Sequence, residues 1–186
     1  DAADLQWRQG RVCAPAKTFV MADALDQIKY GEEKILDLAT VDAIFLRKDP
    51  PFAADYLHYL HLLALIPGRP LCVNDPVAIR NHNEKLAILN YPQYIPQTVI
   101  ARKVAAVRDA VGTMGGKAVL KPLYLFVGKN IFVADLTDRN FDALVEVVTE
   151  GETQYIMVQE YLEAIAKGDV RVLVIDGQVL GSFTRV

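Results

Sequence analysis

Apolar residues in this chain come in short blocks, and the spacing of the blocks changes from one half to the other. The first strong block is residues 41–46, VDAIFL, which stops abruptly at Arg47-Lys48-Asp49-Pro50-Pro51. A continuous apolar run of this length predicts a strand buried on both faces of a parallel sheet. Ligands of open α/β sheets gather at the carboxyl ends of the strands, which makes RKDPP a site candidate; it reads equally as a charged loop stiffened by two prolines. Residues 53–65 carry Tyr56, Leu57, Tyr59, Leu60, Leu63 and Ala64 at helical spacing, and Pro67-Gly68 ends the helix they predict. Residues 70–73 predict a second short strand, and Asn74-Asp75-Pro76 starts another helix with cap and proline in favoured places. Asn83-Glu84-Lys85 is expected on that same helix. Before residue 36 the pattern is weaker: residues 7–12 suggest a small hairpin turning at Gln9-Gly10, residues 18–21 a short strand, and residues 23–30 a helical turn or two. The alternation of strand and helix up to about Lys85 indicates an α/β arrangement.

Beyond Lys85 the character changes. Residues 98–101 predict a strand and residues 103–111 a helix with Val104, Val107 and Val111 on one face, followed by a turn at Met114-Gly115-Gly116. A strand pair around residues 118–120 and 131–133 comes next. Residues 141–149 then predict a helix with Leu144, Val145 and Val148 inward, and residues 155–158 a strand running into Gln159-Glu160-Tyr161-Leu162. Asp176-Gly177 between residues 170–175 and 179–183 is the strongest short hairpin signal in the chain. This half is α+β with antiparallel hairpins.

Within the stretch KAVLKPLYLFVGKNIFVAD (residues 117–135), Lys121 follows a buried-type run. Its charge is tolerated there only if the ammonium reaches water or an anion such as a nucleotide phosphate. An ordinary hairpin with a solvated lysine is the other reading. Gly128 can take the positive φ that lets the chain turn back. Gln159, Glu160, Tyr161 and Leu162 end a strand where an exposed peptide can pair with the edge of adenine. Asp169 and Arg171 lie two apart on a predicted strand and so share a face. There the Asp can accept from a hydroxyl and the Arg can clamp a phosphate or carboxylate; they also read as a surface pair.

Composition narrows the classes. With 186 residues, 52% of them hydrophobic and 23% charged, the chain is globular in composition and long enough for one ordinary domain or two small ones. A net charge of -3 offers no electrostatic attraction to nucleic acid or to an anionic membrane surface. No apolar run approaches a membrane-spanning length and no signal-peptide layout opens the chain, so a cytoplasmic location is expected. Cys13 and Cys72 lack metal-type spacing and read as reduced thiols. His58 and His61 are three apart, but nearby residues do not complete a metal set. The chain opens in a polar run without a start methionine and stops inside an expected strand, which suggests a fragment of a longer protein.

Five motifs, FLRKDPPF (45–52), CVNDPVAIRNHNEKL (72–86), AVLKPL (118–123), MVQEYL (157–162) and KGDVRVLVIDGQV (167–179), stand in an order and spacing that resembles the bacterial glutathione synthetases of the ATP-grasp superfamily. The resemblance covers nearly the whole chain, weakly before residue 36 and strongly after Asp42. It implies an N-terminal domain over residues 1–84, incomplete at its start, and the first part of an ATP-grasp domain over residues 85–186. It further implies ATP- and magnesium-dependent ligation of γ-glutamylcysteine to glycine through an acyl phosphate, by a cytoplasmic homo-oligomer. By the same resemblance Lys85 and Lys121 meet nucleotide phosphates, Glu160, Tyr161 and Leu162 form an adenine hinge beside Gln159, and Asp169 lies near the ribose. Gly128 belongs to the segment over the phosphates, and Arg171 and Arg185 steady the acyl phosphate and its donor carboxylate.

Two departures qualify this expectation. The family's segment after KPL is glycine-rich, whereas here Tyr124-Leu125-Phe126-Val127 precede a single Gly128. Bulky residues cannot let a phosphate approach their backbone as glycines do, so these residues are expected to pack rather than cradle. The family's magnesium ligands belong to a later segment, so no metal ligand is expected in this chain and the chain alone is expected to be inactive. A noncatalytic nucleotide- or partner-binding homologue, and another ATP-grasp peptide ligase, are the alternatives; RKDPPF argues against the latter.

Overall fold

The computed structural model describes residues 4–21, 28–48, 51–68, 70–125 and 128–185. The chain divides into two compact units, one formed by Asp1–Ile95 with Leu123–Lys129 and the other by Pro96–Pro122 with Asn130–Val186.

The first unit opens with an antiparallel sheet of β1 (Gln6–Arg8), β2 (Arg11–Met21) and β3 (Ile28–Asp37) in sequential order. Trp7 pairs with Val12 around a turn in which Gln9 (φ 47°) and Gly10 (φ 85°) both adopt the left-handed conformation. Such a turn matches the natural twist of the two strands, which is why Gln9-Gly10 signals a hairpin. The helical turns expected at residues 23–30 are not what the chain forms at its described positions. Residues 22–27 lie outside the described residues, and Ile28, Lys29 and Tyr30 belong to β3. Phe19 faces Tyr30 across the ladder, with ring centroids 6.5 Å apart. Cross-strand pairing of aromatic residues has overridden a weak local pattern.

Next, β4 (Ala43–Phe45) runs parallel to β5 (Leu71–Val73), and α1 (Ala54–Ala64) forms the crossover between them. Ile44 and Leu46 pack with buried Val12, Leu63 and Ile66, but Phe45 points the other way and is 70% exposed. The strand is therefore covered on one face, not on both as its apolar run suggested. A short helix, α2 (Pro76–Asn81), starts where expected, with the Asp75 carboxylate accepting from the Ala78 N–H at 2.8 Å and Pro76 in the first turn. It ends at Asn81. Asn83 and Lys85 thus sit past the helix, in a turn that leads to 3-10 segments at Ala87–Asn90 and Pro92–Tyr94.

The second unit holds a four-stranded antiparallel sheet built from β6 (Thr98–Ala101), β7 (Lys117–Pro122), β8 (Phe132–Asp135) and β9 (Ile156–Glu160), in the order β6-β9-β7-β8. Helices α3 (Val104–Thr113) and α4 (Phe141–Val148) cover one face. Their inward residues Val107, Val111, Phe141, Val145 and Val148 bury Ala118, Leu120, Ile156 and Val158 of the sheet. Because side chains alternate along a strand, Val119 and Lys121 of β7 and Met157 and Gln159 of β9 occupy the opposite, helix-free face. The unit ends in the hairpin of β10 (Asp169–Ile175) and β11 (Gln178–Arg185), which turns at Asp176 (φ 50°) and Gly177 (φ 74°). The described architecture is an antiparallel three-stranded sheet and a parallel β4–α1–β5 unit, followed by an antiparallel α+β part.

Candidate functional site

In the second unit, the helix-free face of the sheet holds Lys121 in a polar chain. Lys121 lies near the end of β7, one strand over from Gln159 of β9, and its ammonium donates to Gln159 Oε1 at 2.6 Å. The Gln159 amide in turn donates from Nε2 to Thr98 Oγ1 at 2.9 Å, and the Thr98 hydroxyl donates to the Pro96 carbonyl at 2.8 Å. Gln159 is only 7% exposed. A buried amide with both ends satisfied is held in one orientation, so it presents its oxygen, not its nitrogen, to the lysine. The lysine is thereby held at the sheet with the Gln159 amide oxygen as one of its acceptors.

At the end of β9, the Glu160 N–H donates to the Gln97 carbonyl at 2.9 Å while the Glu160 carboxylate accepts from the Gln97 N–H at 3.3 Å. The chain leaves the ladder at Tyr161, whose ring receives the Lys117 ammonium 4.3 Å from its centroid. Leu162 precedes a 3-10 turn at Glu163–Lys167 and its carbonyl accepts from the Ile165 N–H at 3.1 Å. The three expected hinge residues thus follow Gln159 at a strand end, with Gln159 turned to Lys121 and Glu160 folded back on Gln97.

The base of the β10–β11 hairpin joins Asp169 and Arg185. The guanidinium donates through Nε at 3.1 and 3.2 Å and through Nη2 at 2.7 Å to the two carboxylate oxygens. This fork holds the Asp169 carboxyl below the usual carboxylate range, with the Arg185 hydrogen bond as the main cause and the charge of Arg171 a smaller one. Arg171 follows two residues along β10 and stands opposite Phe183. The sequence placed Asp169 with Arg171; the structure adds Arg185 as the closer partner. That pairing depends on strand register, which local pattern does not report.

In the first unit, Lys85 is 15% exposed. Its ammonium donates to the Leu125 carbonyl at 2.5 Å and to Glu84 Oε1 at 2.8 Å. Asn83 donates from Nδ2 to the Leu123 carbonyl at 3.2 Å, and the Phe52 N–H donates to the Tyr124 carbonyl at 3.1 Å. Three successive carbonyls after Pro122 are thus each engaged by the unit. Tyr124 also lines a cavity with Phe52, Tyr56, Ile79, His82 and Asn83, and Tyr124 and Leu125 are half-buried. This agrees with the expectation that the bulky segment packs; Phe126 and Val127 lie outside the described residues. Gly128 has a φ of 70°, the left-handed conformation expected of it.

Lys85 and Gly128 belong to the first unit, and Lys121, Gln159, Glu160, Tyr161, Leu162, Asp169, Arg171 and Arg185 to the second. Thr98, Gln97, Phe52 and Asn83 carry contacts that sequence reasoning did not assign. Asn83 stood within a quoted motif, whereas Thr98 was visible only as the start of a strand. Of the RKDPP candidate, Asp49 and Pro50 lie outside the described residues. His61 Nδ1 meets Arg80 Nη1 at 3.0 Å, and His58 lies 4.0 Å from Asp55. Among the described residues no group of three or more His, Cys, Asp or Glu side chains is placed to hold a metal ion. Nor is any helix among them long and apolar enough to cross a membrane.

Comparison with known proteins agrees with this architecture. Residues 1–80 match the model of the prokaryotic glutathione synthetase N-terminal domain, and residues 84–186 match that of the prokaryotic glutathione synthetase ATP-grasp domain. A glutathione synthetase of Agrobacterium fabrum is 36% identical over 183 residues, covering 98% of this chain and 57% of that protein. One from Synechococcus elongatus is 38% identical over 157 residues, covering 84% of this chain and 48% of that protein. The chain therefore spans about half the length of these relatives. The crystal structure of the D-cycloserine synthetase DcsG superposes with a TM-score of 0.63 at 16% identity, over 79% of this chain and 53% of that one, a likeness of fold. With both domain models matched in order and the second alone spanning more than half of its residues, this chain belongs to the prokaryotic glutathione synthetase family.

Proposed function

We propose that the protein carrying this chain joins γ-glutamylcysteine to glycine at the expense of ATP, through an acyl phosphate, as a cytoplasmic homo-oligomer. Residues 1–84 belong in this reading to its N-terminal domain and residues 85–186 to the first part of its ATP-grasp domain. Lys121 and Lys85 meet nucleotide phosphates, and Gly128 belongs to the segment over the phosphates. Gln159, Glu160, Tyr161 and Leu162 border the adenine, and Asp169 lies by the ribose. Arg171 and Arg185 steady the acyl phosphate and the carboxylate that forms it. Phosphoryl transfer needs positioning and charge stabilisation more than covalent help, and two lysines with two arginines supply positive charge for it.

The observation that carries this reading is the Lys121–Gln159–Thr98 chain, in which a buried amide holds the lysine ammonium on the face of the sheet away from α3 and α4. The family's chemistry uses magnesium, but the described residues offer no ligand group for it. The side chains named here act on the nucleotide and the carboxylate.

Replacing Lys121 tests the reading. In the full-length protein Lys121→Ala is expected to weaken MgATP binding by about 1.5 to 3 kcal/mol, as loss of a charge-assisted contact does. Calorimetric titration measures it, and an unchanged affinity returns Lys121 to the role of a structural partner of Gln159. A noncatalytic homologue is the second reading, favoured by the Lys85 ammonium already resting on the Leu125 carbonyl and Glu84. Phosphate release with γ-glutamylcysteine, glycine and MgATP distinguishes the two.

A further inference from the structure

We propose that Asn83 is a positioning residue for Lys85: one side chain holds both the turn that carries the lysine and the chain segment on which its ammonium rests. The inference builds on the reading of Lys85 as a phosphate contact. Asn83 Oδ1 accepts from the Lys85 N–H at 2.9 Å and from the Leu86 N–H at 3.2 Å. The Asn83 carbonyl accepts from the Ala87 N–H at 2.8 Å, which closes the same turn. Two backbone donors on the lysine's own turn are thus tied to one side-chain oxygen. Meanwhile Asn83 Nδ2 donates to the Leu123 carbonyl, 40 residues along the chain. Leu123 lies two residues before Leu125, whose carbonyl takes the Lys85 ammonium.

The two halves of one amide therefore set the two ends of the Lys85 side chain. The oxygen fixes where the side chain leaves the backbone, and the nitrogen fixes the carbonyl run that receives its tip. Aspartate would supply only acceptors and leucine neither group, so an amide is the chemistry the arrangement requires. A lysine stem has four rotatable bonds and loses much freedom when held. Anchoring both ends reduces the number of arrangements the ammonium samples before a phosphate arrives.

The proposal predicts that Asn83 acts on nucleotide binding only through Lys85. The experiment is a double-mutant cycle on the full-length protein, with MgATP titrated calorimetrically in the absence of the other substrates. Asn83→Ala is expected to weaken binding about tenfold when Lys85 is present, and by less than about twofold when Lys85 is already alanine. Thermal melting of each variant checks that the fold persists. If the alanine variant does not fold, Asn83→Ser takes its place in the cycle. A serine hydroxyl can still cap the turn but cannot reach Leu123, so a smaller, still Lys85-dependent loss is expected. An unchanged affinity on replacing Asn83 overturns the proposal, as does an equal loss with and without Lys85. If Lys85→Ala alone leaves affinity intact, the phosphate role of Lys85 has failed as well, and that outcome is visible before the Asn83 variants are compared.

Discussion

A single methyl group decides whether the β10–β11 hairpin can close. Gly168 has a φ of 93°, and a Cβ placed on it would run into the backbone carbonyl of Arg185. Both the conformation and the close approach exclude other residues. Gly168→Ala is expected to destabilise the hairpin base by more than about 1 kcal/mol, the usual cost of a left-handed conformation for an L-residue. Amide hydrogen exchange across β10 and β11 would show it as faster exchange at Val170 and Thr184; unchanged protection would contradict the steric reading. The neighbouring Asp169–Arg185 fork depends on the same closure. Asp169 and Arg171 were legible in the sequence as a polar pair, but the reason for the glycine before them was not. It lies in a contact with a residue 17 positions away.

At the scale of elements, α3 illustrates how a helix start is completed from a distance. Its N-cap position is Lys103, which contributes no side-chain cap. Glu152 supplies one instead: Oε1 accepts from the Val104 N–H at 2.7 Å, and Oε2 accepts from the Lys103 ammonium at 3.0 Å. An anion at a helix N-terminus satisfies an otherwise unpaired donor and favours the helix dipole. The Val104 N–H, with Lys103 second, lowers the Glu152 carboxyl below its ordinary range. Because the folded pKa is depressed, the unfolded chain binds this proton at higher pH. The stability from Glu152 is therefore present above the ordinary glutamate pKa and is lost as pH falls through the lower folded value. Glu152→Gln is expected to lower the melting temperature at neutral pH and to flatten the acid limb of the melting curve. An acid limb unchanged by the substitution would remove the charge from this account. Valine periodicity predicted α3 itself, whereas its cap, 48 residues downstream, has no local signature.

For the molecule as a whole, family membership and chemistry are different questions. The 183 aligned residues cover 57% of the Agrobacterium relative. Charge on a transferring phosphoryl group is stabilised in such reactions by metal ions together with basic side chains. Matching little more than half of that relative, these 186 residues expressed alone are expected to release no phosphate above background from MgATP with γ-glutamylcysteine and glycine. Turnover that survives repurification would show that the segment suffices.

Sequence by itself determined the order and type of most elements, because alternation, helical spacing and turn residues act over a few positions. Gln9-Gly10, Asp75-Pro76 and Asp176-Gly177 each encode a local conformation and appear where the chain turns or a helix starts. It also marked both lysines, the strand end at residues 159–162 and the Asp169 segment, since their motifs are contiguous. Tertiary structure alone decided which groups meet. Strand register set Arg185 against Asp169, and sheet order brought Gln159 to both Lys121 and Thr98. Likewise, the return of residues 123–125 to the first unit placed carbonyls on Phe52, Asn83 and Lys85. The packing of residues 28–30 as strand belongs with these, for Tyr30 owes its conformation to Phe19 across the ladder. A residue's own neighbours specify its backbone; its partners are specified by apolar burial elsewhere, which brings distant segments to one place.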